Sequence, residues 1–350
     1  MSKLLVVIGA TGGQGSSVVD AFLSNPDYRI RGVTRNMYTD RAKALASKGV
    51  EVVEANQNDE ASLRRAFDGA YAIFAVTDYY DFFFKIGKDA SIELEYTYGT
   101  NMARAASQIP TLRSYIWSTL PNTRQITGGE LVVPHFQGKG QVDTYIKESL
   151  PELYEKTTFA VFTIFAVNMH QYPIFRPTWL ASARKWVQFY PTSPESPYPC
   201  LGDHTVNSGI FVRAMITNRP KPGTYVRCSV ENLTLESYLA LWGKASGLSP
   251  APNSTKVVEL TVSDYVSLWG DMGEEQASQW IFFKWLADKK EQGVLGEGFP
   301  GMEIIEGTTL LSDEDKVGLK SVEKSLRDLD WTGIVELPDT PKGTARDVRI

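Results

Sequence analysis

The chain has 350 residues, of which 43% are hydrophobic and 22% charged. That composition excludes a disordered or fibrous chain and allows a core to form without disulfides or metals. A net charge of −5 argues against a nucleic-acid partner, because phosphate binding needs clustered positive charge, and no apolar run reaches the ~18 residues of a membrane span.

The opening MSKLLVVIGATGGQG carries a lysine and a short apolar run, but glycines break the run early and no small-residue cleavage site follows. A secretory leader is therefore not expected. Cys200 and Cys228 read as free structural thiols in a reducing compartment, which points to the cytoplasm. His135, His170 and His204 have no metal-ligand spacing among them, so no metal is expected.

Apolar runs alternate with helical patterns through the first 170 residues. Strands are expected at 4–9, 29–34, 50–54, 71–77, 114–119 and 159–167, with helices at 15–24, 40–48, 59–68, 88–107 and 136–149. The strands are too uniformly apolar to alternate, which suits a parallel sheet buried on both faces. The pattern is that of an α/β, doubly wound parallel sheet, with its ligand crevice at the carboxyl ends of the strands.

From about 170 the pattern changes. Six prolines between 172 and 202 (Pro173, Pro177, Pro191, Pro194, Pro197, Pro199) forbid one regular element there. Mixed pieces follow at 205–218, 224–230, 234–246, 255–262, 264–272 and 274–290, then a glycine-rich break at 293–301 and a helix at 313–328. The expected division is a nucleotide-binding domain over 1–170 and a smaller α+β lobe over 171–350, whose strands or helices can return to the first domain.

Gly9-Ala10-Thr11-Gly12-Gly13-Gln14-Gly15 follows the first strand and opens the first helix. Gly9 permits the tight turn, Gly12 lets the backbone approach a pyrophosphate, and Gly15 lets the helix pack close to the sheet. The helix N-terminus then offers free N–H groups and a positive dipole end to the phosphates. At the end of the second strand, Val33-Thr34-Arg35-Asn36 has no carboxylate for a ribose 2′-hydroxyl. A guanidinium there can grip a 2′-phosphate with parallel bonds, so Arg35 favours NADP(H) over NAD.

The segments GATGGQG (9–15), VTRN (33–36), NQND (56–59), GAYAIFAVTDYY (69–80), HFQGKGQVDTYI (135–146) and FAVN (165–168) together resemble the NmrA-like family, atypical members of the short-chain dehydrogenases. The resemblance runs to about residue 290 and is nearest to the branch of NADPH-sensing proteins; fungal nitrogen regulators and fungal natural-product enzymes share the fold. It implies a Rossmann domain of the extended short-chain-dehydrogenase type and an NADP(H) site. Gly9 to Gln14 would hold the pyrophosphate, Arg35 and Asn36 the 2′-phosphate, and Asn56 and Gln57 the adenine. Thr77, Asp78 and Tyr79 would line the ribose and phosphate walls. Lys139 would reach the nicotinamide ribose, and Phe165 to Asn168 would pass beside the nicotinamide. The family's sensors carry a lysine on the fourth helix, and Thr97 aligns with it, a loss of one positive charge.

Short-chain dehydrogenases reduce carbonyls with a serine and a Tyr-x-x-x-Lys helix. By the resemblance, Ser118 takes the serine's place, His135 the tyrosine's, and Lys139 remains. Histidine can move a proton near neutral pH, and a cationic Lys139 alongside would favour its giving one up. Tyr79, Tyr80, Tyr145 and Tyr172 are alternative donors, and a purely structural role for His135 stays open. The segment 79–84 (YYDFFF) follows the fourth strand directly and is expected to form an aromatic wall or lid, with a partner-docking patch as its rival.

Two functions follow. The first is an NADP(H)-dependent oxidoreductase acting on a hydrophobic, aromatic or polycyclic small molecule by carbonyl- or imine-type hydride transfer, in fungal secondary metabolism, with a cyclase that uses the cofactor transiently as a variant. The alternative is a non-enzymatic NADP(H) redox sensor regulating a protein partner such as a transcription factor, which would place it in the nucleus as well.

Overall fold

The computed structural model describes residues 2–293 and 302–335. Of the expected glycine-rich break, all but Gly293 lies outside the described residues.

In chain order the strands are β1 (Lys3–Ile8), β2 (Tyr28–Thr34), β3 (Glu51–Glu54), β4 (Ala72–Ala75), β5 (Ser114–Thr119), β6 (Thr157–Phe162), β7 (Ile164–Phe165), β8 (Thr178–Leu180), β9 (Lys185–Tyr190), β10 (Pro197–Gly202), β11 (Tyr225–Cys228), β12 (Glu231–Thr234), β13 (Thr255–Glu259) and β14 (Ile304–Glu306). The helices are α1 (Gly13–Phe22), α2 (Asp40–Ser47), α3 (Glu60–Phe67), α4 (Tyr80–Ile86), α5 (Lys88–Ser107), α6 (Thr123–Ile126), α7 (Pro134–Ser149), α8 (Pro151–Tyr154), α9 (Asn168–Gln171), α10 (Asn207–Thr217), α11 (Leu235–Ser246), α12 (Val262–Glu291), α13 (Asp313–Gly318) and α14 (Val322–Arg327).

The main sheet has eight strands in the order β3-β2-β1-β4-β5-β6-β11-β14, all parallel. The winding reverses between β1 and β4, the place where doubly wound sheets open a ligand crevice. Side chains of β1 alternate between two cores. Leu5 and Val7 pack with Val18, Phe22, Phe211 and Met215 of α1 and α10, and Leu4, Val6 and Ile8 pack with Leu63, Met102 and Val142 of α3, α5 and α7. Burial on both faces explains why the strand sequences show no polar alternation.

The remaining strands form two three-stranded sheets, β12-β10-β7 and β13-β9-β8. They frame an aromatic core of Trp186, Tyr190, Tyr198, Tyr238, Trp242 and Trp280. Among the described residues no helix is long and apolar enough to cross a membrane.

Several expectations are corrected. The strand expected over 159–167 ends at Phe162: Thr163 N–H makes the last bond of its ladder, to Cys228 O (3.2 Å), and the Thr163 hydroxyl bonds the same carbonyl (2.9 Å). Ile164 and Phe165 then join a different sheet. The two pieces expected at 264–272 and 274–290 are two helical stretches of α12 that meet at Gly270, whose backbone is non-helical (φ 56°, ψ −137°), so the break falls a few residues earlier than expected. The helix at 313–328 is two helices, capped by the hydroxyls of Ser312 and Ser321. The aromatic segment 79–84, for which no element is expected, forms the N-cap and start of a helix, α4.

The two halves of the chain are joined where α1 meets α10. Ser17 Oγ donates to Val206 O (2.9 Å) and accepts from Gly209 N (2.7 Å), so a side chain of α1 caps the first turn of α10. Replacing Ser17 with alanine strands that buried N–H, and urea unfolding should show a loss of about 2 kcal/mol.

Candidate functional site

At the carboxyl end of β1 the chain turns at Gly9 (φ +65°). A β-carbon on Gly15 would stand 2.1 Å from Gly9 O, so α1 can rise from this turn only with glycine there. No side chain caps α1, and its first N–H groups face a cavity of about 1340 Å³. The cavity runs from this loop past Ser118, His135 and Lys139 to an aromatic floor of Tyr172, Phe175, Tyr198, Trp280 and Phe283.

Helix α7 enters its first turn at Pro134, whose missing N–H costs nothing there. It is pinned to β5 by Asp143, which accepts from Trp117 Nε1 (2.8 Å) and Thr119 Oγ1 (2.7 Å). Burial pushes the Asp143 carboxyl up to about 7 against the pull of these bonds. The docking sets His135 and Lys139, one turn apart, beside Ser118 at the cavity wall.

The two buried basic side chains of α7 meet buried carboxylates. Lys139 Nζ bonds Glu95 Oε1 of α5, which also accepts from Thr77 Oγ1 (2.8 Å). His135 Nδ1 bonds Glu275 Oε1 of α12, and His135 Nε2 meets Gln279 Oε1 at 3.0 Å. Both ring nitrogens thus face side-chain oxygens, so the ring can donate to Glu275 through one nitrogen and meets Gln279 at the other. Burial pushes Glu275 up, but the charge and hydrogen bond of His135, with Tyr80 and Gln276, hold it below its ordinary value of 4.5. Tyr80 OH donates to Glu275 Oε2 (2.9 Å), and Gln276 Nε2 donates to Tyr80 OH (2.6 Å). The expectation that Lys139 bears on His135 as a free charge is corrected: each has its own counter-ion.

The tyrosine alternatives separate cleanly. Burial, then the Glu275 charge, pushes the Tyr79 and Tyr80 phenols well above their ordinary value. Burial, then nearby carboxylates, pushes Tyr172 up to about 12. All three hold their protons tightly. Tyr145 is not among the residues lining this cavity.

Ser118 Oγ donates to Gln14 Oε1 (2.9 Å), tying β5 to the glycine loop. Gly9 to Gly15, Arg35, Gln57, Thr77, Asp78, Tyr79, Phe165 and Asn168 line the cavity. Asn36 and Asn56 do not; each spends its side-chain oxygen on its own turn, accepting from Tyr38 N (2.8 Å) and Asn58 N (2.9 Å). Thr97 is exposed and donates to Glu93 O (2.9 Å), away from the cavity. In the aromatic segment, Tyr79, Tyr80 and Phe82 line the cavity, Phe83 packs behind Tyr79 with ring centroids 5.6 Å apart, and Phe84 is exposed. Arg35 makes an ion pair with Asp81 at 2.8 Å.

Sequence reasoning missed Glu95, Glu275, Gln276 and Gln279. Nothing local separates buried Glu275 from its neighbour Glu274, which reaches outward to Lys88 at 2.9 Å. Arg41 of α2 also lines the cavity and was not singled out.

The model of the NmrA-like family matches residues 1–263. The chain is similar to the NmrA-like family domain-containing oxidoreductase notA′ of Aspergillus versicolor, 29% identical over 147 residues, which are 42% of this chain. That stretch spans 40% of the relative's own length, well under half. Among solved structures, NmrA, a negative transcriptional regulator, in complex with NADP aligns with TM-score 0.68 and 19% identity over 94% of this chain and 95% of the other. The triphenylmethane reductase of Citrobacter sp. complexed with NADP(H) aligns with TM-score 0.60 and 13% identity over 93% of this chain and 99% of the other.

A carboxylate held low stabilises the fold fully above its ordinary range, and that stability disappears as pH falls through its lowered value. Replacing Glu275 with glutamine should therefore cost about 3 kcal/mol near neutral pH, because it leaves His135 without its counter-ion. Urea unfolding across the acid range should show the gap between the two proteins closing as pH drops below 4.5.

Proposed function

The chain belongs to the NmrA-like family, and we propose that within it this protein is an NADP(H)-dependent oxidoreductase for a hydrophobic, aromatic or polycyclic small molecule. The observation that carries this reading is the continuity of the cavity from the glycine loop, past Ser118 and His135, to the aromatic floor. Its volume of about 1340 Å³ exceeds the ~300–1,000 Å³ of a single drug-sized ligand pocket, leaving room for a dinucleotide and a second molecule.

The residues present fit the dinucleotide. The uncapped α1 N-terminus and the close-packed glycines suit a diphosphate, and Arg35 suits the 2′-phosphate. When bound, the nicotinamide supplies or accepts the hydride at a carbonyl- or imine-type carbon. The rest falls to this chain. Residues 1–170 would hold the nucleotide and the part from 171 onward would shape the substrate's place. His135 is the proton donor: the substrate's oxygen or nitrogen replaces Gln279 at Nε2–H and takes the proton as negative charge develops there. Glu275 accepts from Nδ1–H throughout, so the ring keeps its orientation once neutral. Ser118 donates a second hydrogen bond to the same substrate atom. Lys139 exchanges Glu95 for the nicotinamide ribose.

The outward side of α4, with Phe84 64% and Ile86 48% exposed, supports the sensor alternative, in which the same nucleotide site governs a protein partner. Turnover decides between them. Purified protein, NADPH and a panel of apolar ketones and imines should give falling absorbance of the reduced cofactor. Replacing His135 with glutamine should then lower kcat by about 10²–10³-fold with NADP binding intact. Inactivity across the panel together with firm NADP binding would favour the regulator.

Cofactor choice gives a separate test. Arg35→Ala should weaken NADP by about 30-fold and NAD by less than about twofold. Because Asp81 competes for the same guanidinium, Asp81→Asn should tighten NADP by about threefold. Titration calorimetry with both dinucleotides checks the pair of expectations.

A further inference from the structure

His204 stands at the start of α10 in the second half of the chain, yet it lies against the glycine loop of the first. A β-carbon on Gly13, the first residue of α1, would be 2.1 Å from His204 Nε2 and 2.5 Å from its Cδ2. The imidazole therefore occupies the space a side chain at position 13 would fill, beside the uncapped N-terminus of the helix. Its plane is fixed by stacking on Phe165, with ring centroids 4.7 Å apart and an angle of 9°.

His204 Nδ1 is shielded from solvent and has no hydrogen-bond partner among the described residues. The nitrogen set against the glycine loop is the other one, Nε2. Burial, partly offset by Asp203, holds the imidazole below its ordinary value, so the ring is neutral without a further anion. Asp203 is the charged group that bears on it. That carboxylate is already engaged by Lys320 Nζ (2.7 Å), Thr205 Oγ1 (2.6 Å) and Thr205 N (2.9 Å), and Lys320 also holds Asp328 at 2.8 Å. The residues packed against the ring from the other side are Gly13 and Phe165, neither of them titratable.

We propose that His204 is a proton-coupled ligand for the nucleotide's diphosphate, taking up a proton from solvent as the anion settles on the α1 N-terminus. This rests on the proposed nucleotide site and adds to it a residue from the second half of the chain. A diphosphate brings negative charge within reach of a ring that has no other close anion to spare, and the charged imidazole is favoured there. Gly13 is then explained as the residue that leaves room for this histidine. Because His204 precedes α10, which Ser17 caps, nucleotide binding also ties the second half of the chain to α1.

The test uses the full chain and NADP+. Calorimetric titrations near neutral pH in two buffers of different ionisation heat measure the protons taken up on binding. The wild type should take up a proton fraction that His204→Gln does not, and titration of the 2′-phosphate itself is common to both and cancels. Between about pH 8 and pH 6 the wild type should tighten on acidification relative to the variant, by up to about tenfold per unit for one proton. His204→Phe, which keeps the stack on Phe165, should match His204→Gln. Equal proton uptake and equal pH slopes in wild type and His204→Gln, or wild-type affinity in His204→Phe, would overturn the proposal and leave the nucleotide site standing. No binding of NADP+ by the wild type would overturn both.

Discussion

Helix α7 carries two buried basic side chains, Lys139 and His135, one turn apart on a face turned away from water, and each can remain there only with a carboxylate against it. An unpaired buried charge costs several kcal/mol, so the requirement is strict. Glu95 meets it from α5 and Glu275 from α12. The second pairing matters most for the architecture, because α12 lies far along the chain and is drawn onto the first half by it. The cavity wall is thus held by electrostatic necessity as well as by apolar packing.

That arrangement also limits the chemistry. Helix position alone would leave a histidine and a lysine side by side. In the folded chain each turns to its own carboxylate, and the ring of His135 has one nitrogen against Glu275 and the other against Gln279. Burial and the same carboxylate push the neighbouring phenols of Tyr79 and Tyr80 well above their ordinary value. One buried glutamate therefore bears on the imidazole and on both phenols, and with burial it keeps the tyrosine protons in place. Environment, rather than residue type, assigns the roles.

The fold class was legible because its signals are local. The apolar runs of β1, β2, β4 and β5 and the helix spanning 88–107 declare themselves within a few residues, and a sheet buried on both faces leaves a distinctive run without alternation. Where the reading went astray, competition between sheets was responsible. Phe159 to Val167 is one apolar run in sequence, but it divides at Thr163 between two sheets.

By itself the sequence determined the strand–glycine-turn–helix unit at 9–15, the guanidinium after β2, and the spacing that sets His135 and Lys139 on one helix face. Each follows from backbone geometry over at most a few residues. Only the tertiary structure decided what those groups would touch. Glu275 lies 140 residues from His135, and Glu95 lies 44 from Lys139. Asp81 reaches Arg35 from a helix beyond two further strands, and His204 crosses from the second half to Gly13. Charge pairing and close approach depend on distance in space, and periodicity along the chain carries no record of it.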